Sequence, residues 1–150
     1  MIILNETHTK IIGEVTLLMT VSSLHKQHPI NFINYFILPP IYLNQFRIYR
    51  IKNQPVGWVS WAFLSDELEK ELIENFRILN LDEWKIGKNV FIMDFIAPFG
   101  HARKITQDLK NNIFPNDLVK GFRLKDDKTV RKVAIYRGKN VKKTLITVNK

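Results

Sequence analysis

The chain has no cysteine in its 150 residues. That excludes disulfides, thiolate metal sites and cysteine nucleophiles, and it fits a reducing compartment. No uninterrupted apolar run approaches the ~18 residues needed to span a bilayer, so stable membrane insertion is not expected. The opening MIILNETHTK lacks a basic stretch followed by a long apolar one, so no secretion signal is expected and the expected location is the cytoplasm. There is no internal repeat, low-complexity tract or Gly/Ser-rich linker. Also missing are HExxH, a Cys/His cluster, a P-loop, a GxSxG elbow and a Rossmann fingerprint, so no metal and no bound cofactor are expected.

What is there suits a single domain over 1–150, with 45% hydrophobic residues to form its core. The net charge is +9, and it is unevenly spread. Residues 1–100 carry 9 Lys+Arg against 10 Asp+Glu, whereas residues 101–150 carry 14 against 4. The excess therefore sits wholly in the last third. A concentrated basic face points to an acidic partner such as nucleic acid, anionic lipid or an acidic protein, or else to a solubilising surface. No recognisable nucleic-acid reading module accompanies it, so no nucleic-acid partner is expected.

Apolar spacing predicts a helix over 10–24, with Ile11, Val15, Leu18 and Ser22 on one face and His25 near its end. Asn31–Asn44 reads as a short helical segment broken by Pro39-Pro40. Phe46–Ile51 and Val56–Phe63 read as a hairpin turning at Asn53-Gln54-Pro55. Ser65 is a natural N-cap for a helix with Leu68, Leu72, Ile73 and Phe76 as its apolar stripe. Val90–Ala97 reads as the central strand, followed by a helix over 101–112 with Ala102, Ile105 and Leu109 inward. Leu118–Leu124, Val130–Tyr136 and Val141–Val148 read as further strands. The expected fold class is α/β (α+β): a mixed central sheet flanked by helices.

The run VFIMDFIAPFG (Val90–Gly100) places one carboxylate, Asp94, in the middle of a strand that reads as buried on both faces. A charge there is costly unless it is paired. The candidate partner is His25, with Ser22 and Ser23 one turn away; a lysine or arginine is the rival. A buried Asp holding a His is an arrangement that moves protons near neutral pH. His101 ranks below His25 as a base, because a helix start disfavours a protonated imidazole; His8 and His28 read as surface residues. The turn Pro98-Phe99-Gly100-His101, with Arg103 and Lys104 one turn in, is a candidate anion site or a plain strand–helix turn. The Q/R-x-x-G-x-G/A loop that cradles the coenzyme A pyrophosphate is absent, which argues against a free coenzyme A donor. Trp58, Trp61 and Trp84 read as core rather than as a stacking surface.

The chain resembles the RTX toxin-activating lysine acyltransferases, the hemolysin-activating C proteins. The motifs that carry the likeness are S-x-L-H-x-x-x-P (Ser22 to Pro29), I-L-P-P (Ile37 to Pro40), P-V-G-W-V-S-W-A (Pro55 to Ala62), D-F-I-A-P-F-G (Asp94 to Gly100), I-F-P-N-D-L (Ile113 to Leu118), a later G-x-R-L and Y-R-G-K. The resemblance spans roughly Gly13 to Val141. It implies a fold like the Gcn5-related N-acetyltransferases, often as a homodimer. It implies transfer of a fatty acyl chain from acyl-acyl carrier protein, a phosphopantetheine thioester, to the ε-amine of internal lysines of an RTX protoxin. It makes His25 the catalytic base, Asp94 its partner and Ser22 a supporting residue. The carrier protein is acidic, which suits a docking face drawn from Gly100, His101, Arg103, Lys104 and Arg123, with Arg131 and Arg137 beside them. Phe32, Tyr35, Phe36 and the Trp58–Phe63 strand are candidate walls for the acyl chain. The alternatives are an acyl-coenzyme A N-acyltransferase acting on another amine, a covalent acyl-His25 intermediate, and a non-enzymatic basic module.

Overall fold

Asn5 sets where the first helix begins. Its side chain accepts the His8 N–H at 2.9 Å, and His8 Nδ1 accepts the Asn5 N–H at 3.4 Å, so the two residues cap each other. Helix α1 therefore spans Glu6–Thr20, starting and ending about four residues earlier than its apolar spacing suggests, so Ser22 and His25 lie beyond its end and His8 serves as a capping residue. The computed structural model describes residues 2–124 and 131–142.

After α1 the chain makes a string of tight turns: His25 N–H and Lys26 N–H both donate to Ser22 O. Pro29, which has no N–H to donate, ends this stretch. Helical winding resumes as a π turn over Ile33–Ile37 and continues directly into α2 (Leu38–Leu43). Pro39-Pro40 does not break the segment as expected. The pair falls in the first turn of α2, where N–H groups have no intrahelical acceptor to lose.

Strand β1 (Phe46–Ile51) and β2 (Gln54–Leu64) form the expected hairpin. It turns at Lys52-Asn53, both left-handed (φ 48° and 65°), a two-residue turn whose twist matches its strands. Ser65 Oγ accepts the Leu68 N–H and caps α3 (Asp66–Glu74), whose first turn is acidic. Of its expected stripe, Leu68 and Leu72 are buried, Ile73 is exposed, and Phe76 lies beyond the helix end. Next come β3 (Asn89–Ile96), α4 (Ala102–Asp108) with a π turn over Leu109–Ile113, β4 (Leu118–Leu124) and β5 (Arg131–Arg137). Ile105 and Leu109 face inward, but Ala102, at the helix mouth, is exposed. The expected strand Val141–Val148 lies, but for its first two residues, outside the described residues.

The five strands form one mixed sheet in the order β1-β2-β3-β4-β5, antiparallel throughout except for the parallel pair β3–β4. On one face α1 and α2 pack over Trp58 and Ile96, and α3 packs over Ala62 and Phe91. On the other face α4 covers Val59, Trp61 and Ile92. Trp58 and Trp84 are wholly buried and Trp61 is buried, so the tryptophans are core as expected.

The sheet has two irregularities at its centre. Ser60 opposes Asp94 and Trp61 opposes Ile92, which leaves Met93 as an extra residue bulged out of β3. Before the bulge Val90 and Ile92 face α4; after it Asp94 and Ile96 face the α1 side. In a regular strand Asp94 and Ile92 share a face. The second irregularity is a parting of strands. β3 and β4 pair only from Val90↔Val119 to Ile92↔Gly121, although both continue beyond. Their C-terminal ends therefore separate.

Candidate active site

The bulge delivers Asp94 to the turn that carries His25. His25 Nε2 lies 2.6 Å from Asp94 Oδ1, and His25 Nδ1 lies 2.7 Å from Ser22 Oγ. A carboxylate only accepts hydrogen bonds, so the imidazole carries its proton on Nε2 and donates it to Asp94. Nδ1 is then the lone-pair nitrogen, and Ser22 donates its hydroxyl proton to it. Asp94 Oδ1 also accepts the Phe95 N–H at 3.0 Å.

All three side chains are buried: His25 is 6% exposed, Ser22 8% and Asp94 9%. Rings close over the imidazole. His28 meets it edge-on at 5.3 Å between centroids and Phe32 does so at 6.0 Å, while His28 and Phe32 stack on each other at 4.3 Å. With both ring nitrogens engaged, an incoming group reaches the basic nitrogen by way of the Ser22 hydroxyl.

One neighbour was not among the expected site residues. Ser60 is wholly buried directly across the strand pair from Asp94. Its Oγ and Asp94 Oδ2 are both buried and find no hydrogen-bond partner among the described residues. Residues opposed in an antiparallel pair carry their Cβ atoms on the same face, about 5 Å apart. A lone hydroxyl in the apolar run Trp58-Val59-Ser60-Trp61-Ala62 is the signal that pointed to it.

The structure joins Ser22, His25 and Asp94, and no hydrogen bond or ion pair among the described residues links them to Gly100, His101, Arg103, Lys104 or Arg123. Those five lie elsewhere, though at one end of the sheet. Gly100, His101, Arg103 and Lys104 follow the end of β3, with Gly100 in the left-handed region (φ 88°). Arg123 sits near the end of β4, on the other side of the parting. Gly100, Arg103, Lys104 and Arg123 are exposed, and His101 is part-buried at the N-cap of α4 without capping it through its side chain. In open sheets with parallel strands, the crevice beyond the carboxyl ends is where ligands bind.

Two hydrogen-bonded carboxylates hold the frame. Arg50 grips Glu14 with two hydrogen bonds of 2.6 and 2.7 Å, fastening β1 to α1; they hold the Glu14 carboxyl below its usual value. Tyr49 donates to Asp108 at 2.6 Å, fastening β1 to α4, and burial together with that carboxylate raises the phenol's pKa.

The family model of the RTX toxin acyltransferase family matches residues 4–137. An uncharacterised protein of Synechocystis is 52% identical over 136 residues, covering 89% of this chain and 92% of its own length. The RTX-I toxin-activating lysine-acyltransferase ApxIC of Actinobacillus pleuropneumoniae is 31% identical, over 91% of this chain and 78% of its own. The protein-lysine myristoyltransferase HlyC of Escherichia coli is 30% identical, over 91% and 79%. The chain with the buried Ser22–His25–Asp94 line thus belongs to the RTX toxin acyltransferase family.

Proposed function

We propose that the protein transfers a fatty acyl chain from acyl-acyl carrier protein to the ε-amine of internal lysines of an RTX protoxin, activating it, with His25 as general base and Asp94 as its partner. The observation that carries this reading is the unbroken hydrogen-bonded line from Ser22 through His25 to Asp94, in a chain whose relatives are named lysine acyltransferases.

A lysine with a pKa of about 10.4 is neutral only about once in 2,500 molecules at pH 7, a cost of roughly 4–5 kcal/mol. A base is therefore needed. The ammonium approaches Ser22 Oγ. Its proton passes to Oγ as the Ser22 proton passes to His25 Nδ1. Asp94 stabilises the imidazolium that forms. The neutral amine attacks the thioester carbonyl; the C–N bond forms, the C–S bond breaks, and the second amine proton ends on the departing sulfur. The imidazolium then returns its proton to solvent.

The donor enters where β3 and β4 part. Arg103, Lys104 and Arg123 flank that opening with positive charge, complementary to an acidic carrier protein, and Gly100-His101 lies beside the path of its phosphopantetheine arm. The test is mass spectrometry of acylated lysines on an RTX protoxin mixed with purified enzyme and either acyl-acyl carrier protein or the matching coenzyme A thioester. Modification from the carrier protein, weakened by salt and lost in His25→Ala with the fold intact, is expected. Transfer by His25→Ala at the wild-type rate overturns the His25 role, and equal use of both thioesters overturns the carrier-protein donor.

A further inference from the structure

A row of aromatic rings leads away from the candidate base, with His28 stacked on its first member and the buried Phe91 edge-on to its last at 5.3 Å. Phe32, in edge contact with His25, stacks on Phe36 at 4.7 Å between centroids; Phe36 stacks on Phe76 at 6.0 Å; and Phe76 meets Phe122 edge-on at 5.7 Å. These four rings come from three stretches of chain: the π turn and the residue before it, the segment just after α3, and β4. All four are part-exposed, unlike the cores beneath them. Phe32 packs against the core under α1, whereas Phe76 and Phe122 pack against the core under α3. The row thus bridges the seam between two cores, and on the sheet below that seam stand Ser60 and Asp94. Its far ring, Phe122, lies on β4 just past the last residue that pairs with β3.

The part-exposed row is one ring wide, too narrow to seat a helix or a strand, and its four phenyl rings carry no charge. It begins at the imidazole beside which a reacting carbonyl must lie. From these features we infer that Phe32, Phe36, Phe76 and Phe122 form the seat of the donor's fatty acyl chain, and that Phe76 and Phe122, at its far end, decide how long a chain is accepted. This rests on the acyltransferase reading. The carbonyl end lies at Ser22 and His25, and successive methylenes lie along the rings. Each buried methylene contributes roughly fourfold to binding.

The experiment compares an octanoyl and a palmitoyl carrier-protein donor, with kcat/KM read by mass spectrometry of the modified protoxin. Phe76→Leu and Phe122→Leu keep an apolar side chain at each place and are made separately, with circular dichroism as the check on folding. Each is expected to leave the octanoyl rate within about twofold and to cut the palmitoyl rate by about tenfold, since a few methylenes lose their wall. Phe36→Leu, nearer the base, lowers both. Equal loss with both donors in Phe76→Leu and Phe122→Leu, or no loss with either, overturns the inference while the acyltransferase reading stands. Failure of the wild-type protein to transfer either chain overturns that reading itself.

Discussion

Replacing Asp94 by asparagine separates charge from shape. The amide keeps an oxygen to accept the His25 Nε2–H, and its NH2 group replaces Oδ2, which has no hydrogen-bond partner among the described residues. Packing is preserved; what is lost is the negative charge that stabilises an imidazolium. With Nε2 and Oδ1 at 2.6 Å and both side chains at most 7% exposed, solvent screens that charge little. Charge centres about 4 Å apart interact by roughly 4 kcal/mol at an effective dielectric constant of 20. At 1.36 kcal/mol per factor of ten, kcat should fall roughly 1,000-fold. The donor KM should stay within about twofold, because Asp94 is not placed to touch the donor. The assay is the initial rate of protoxin acylation at saturating donor, with thermal unfolding of the variant measured alongside. An Asp94→Asn enzyme that stays folded and keeps more than about a tenth of the wild-type kcat refutes the proton-transfer role of the pair.

Two further outcomes concern the frame. Gln45 is buried and donates from Nε2 to Trp61 O at 3.0 Å and Trp84 O at 2.9 Å; Gln45→Leu strands both carbonyls, so urea unfolding should show a loss of about 2–4 kcal/mol with unchanged slope, and an unmoved midpoint contradicts this. The Glu14 carboxyl, held below its reference value of 4.5 by hydrogen bonds from Arg50, stabilises the fold fully above that value and progressively less as pH falls through its lowered pKa. The melting-temperature gap between wild type and Glu14→Gln should therefore be widest near neutrality and close in acid; a gap that widens on acidification counts against the tie.

Much of this molecule could be read from local chemistry. The capped α3, the β1–β2 hairpin and the buried β3 follow from side chains acting within a few residues of one another. The breaks with expectation are also physical. Asn5 and His8 moved the start of α1 toward the N-terminus because a reciprocal cap outweighs apolar spacing, and Pro39-Pro40 passed because a helix's first turn does not need their missing N–H groups. Phe76 and Phe122 remained invisible as neighbours because they lie far apart in the chain and meet only through sheet order.

By itself, then, the sequence pointed to a pairing: a lone carboxylate amid apolar neighbours is costly to bury and calls for a partner, and the histidine motif offered one. Which way that carboxylate points was decided only in three dimensions. Side-chain alternation along a regular strand puts Asp94 beside Ile92, under α4 and away from His25; the extra residue at Met93 reverses that, and only pairing with β2 reveals the bulge.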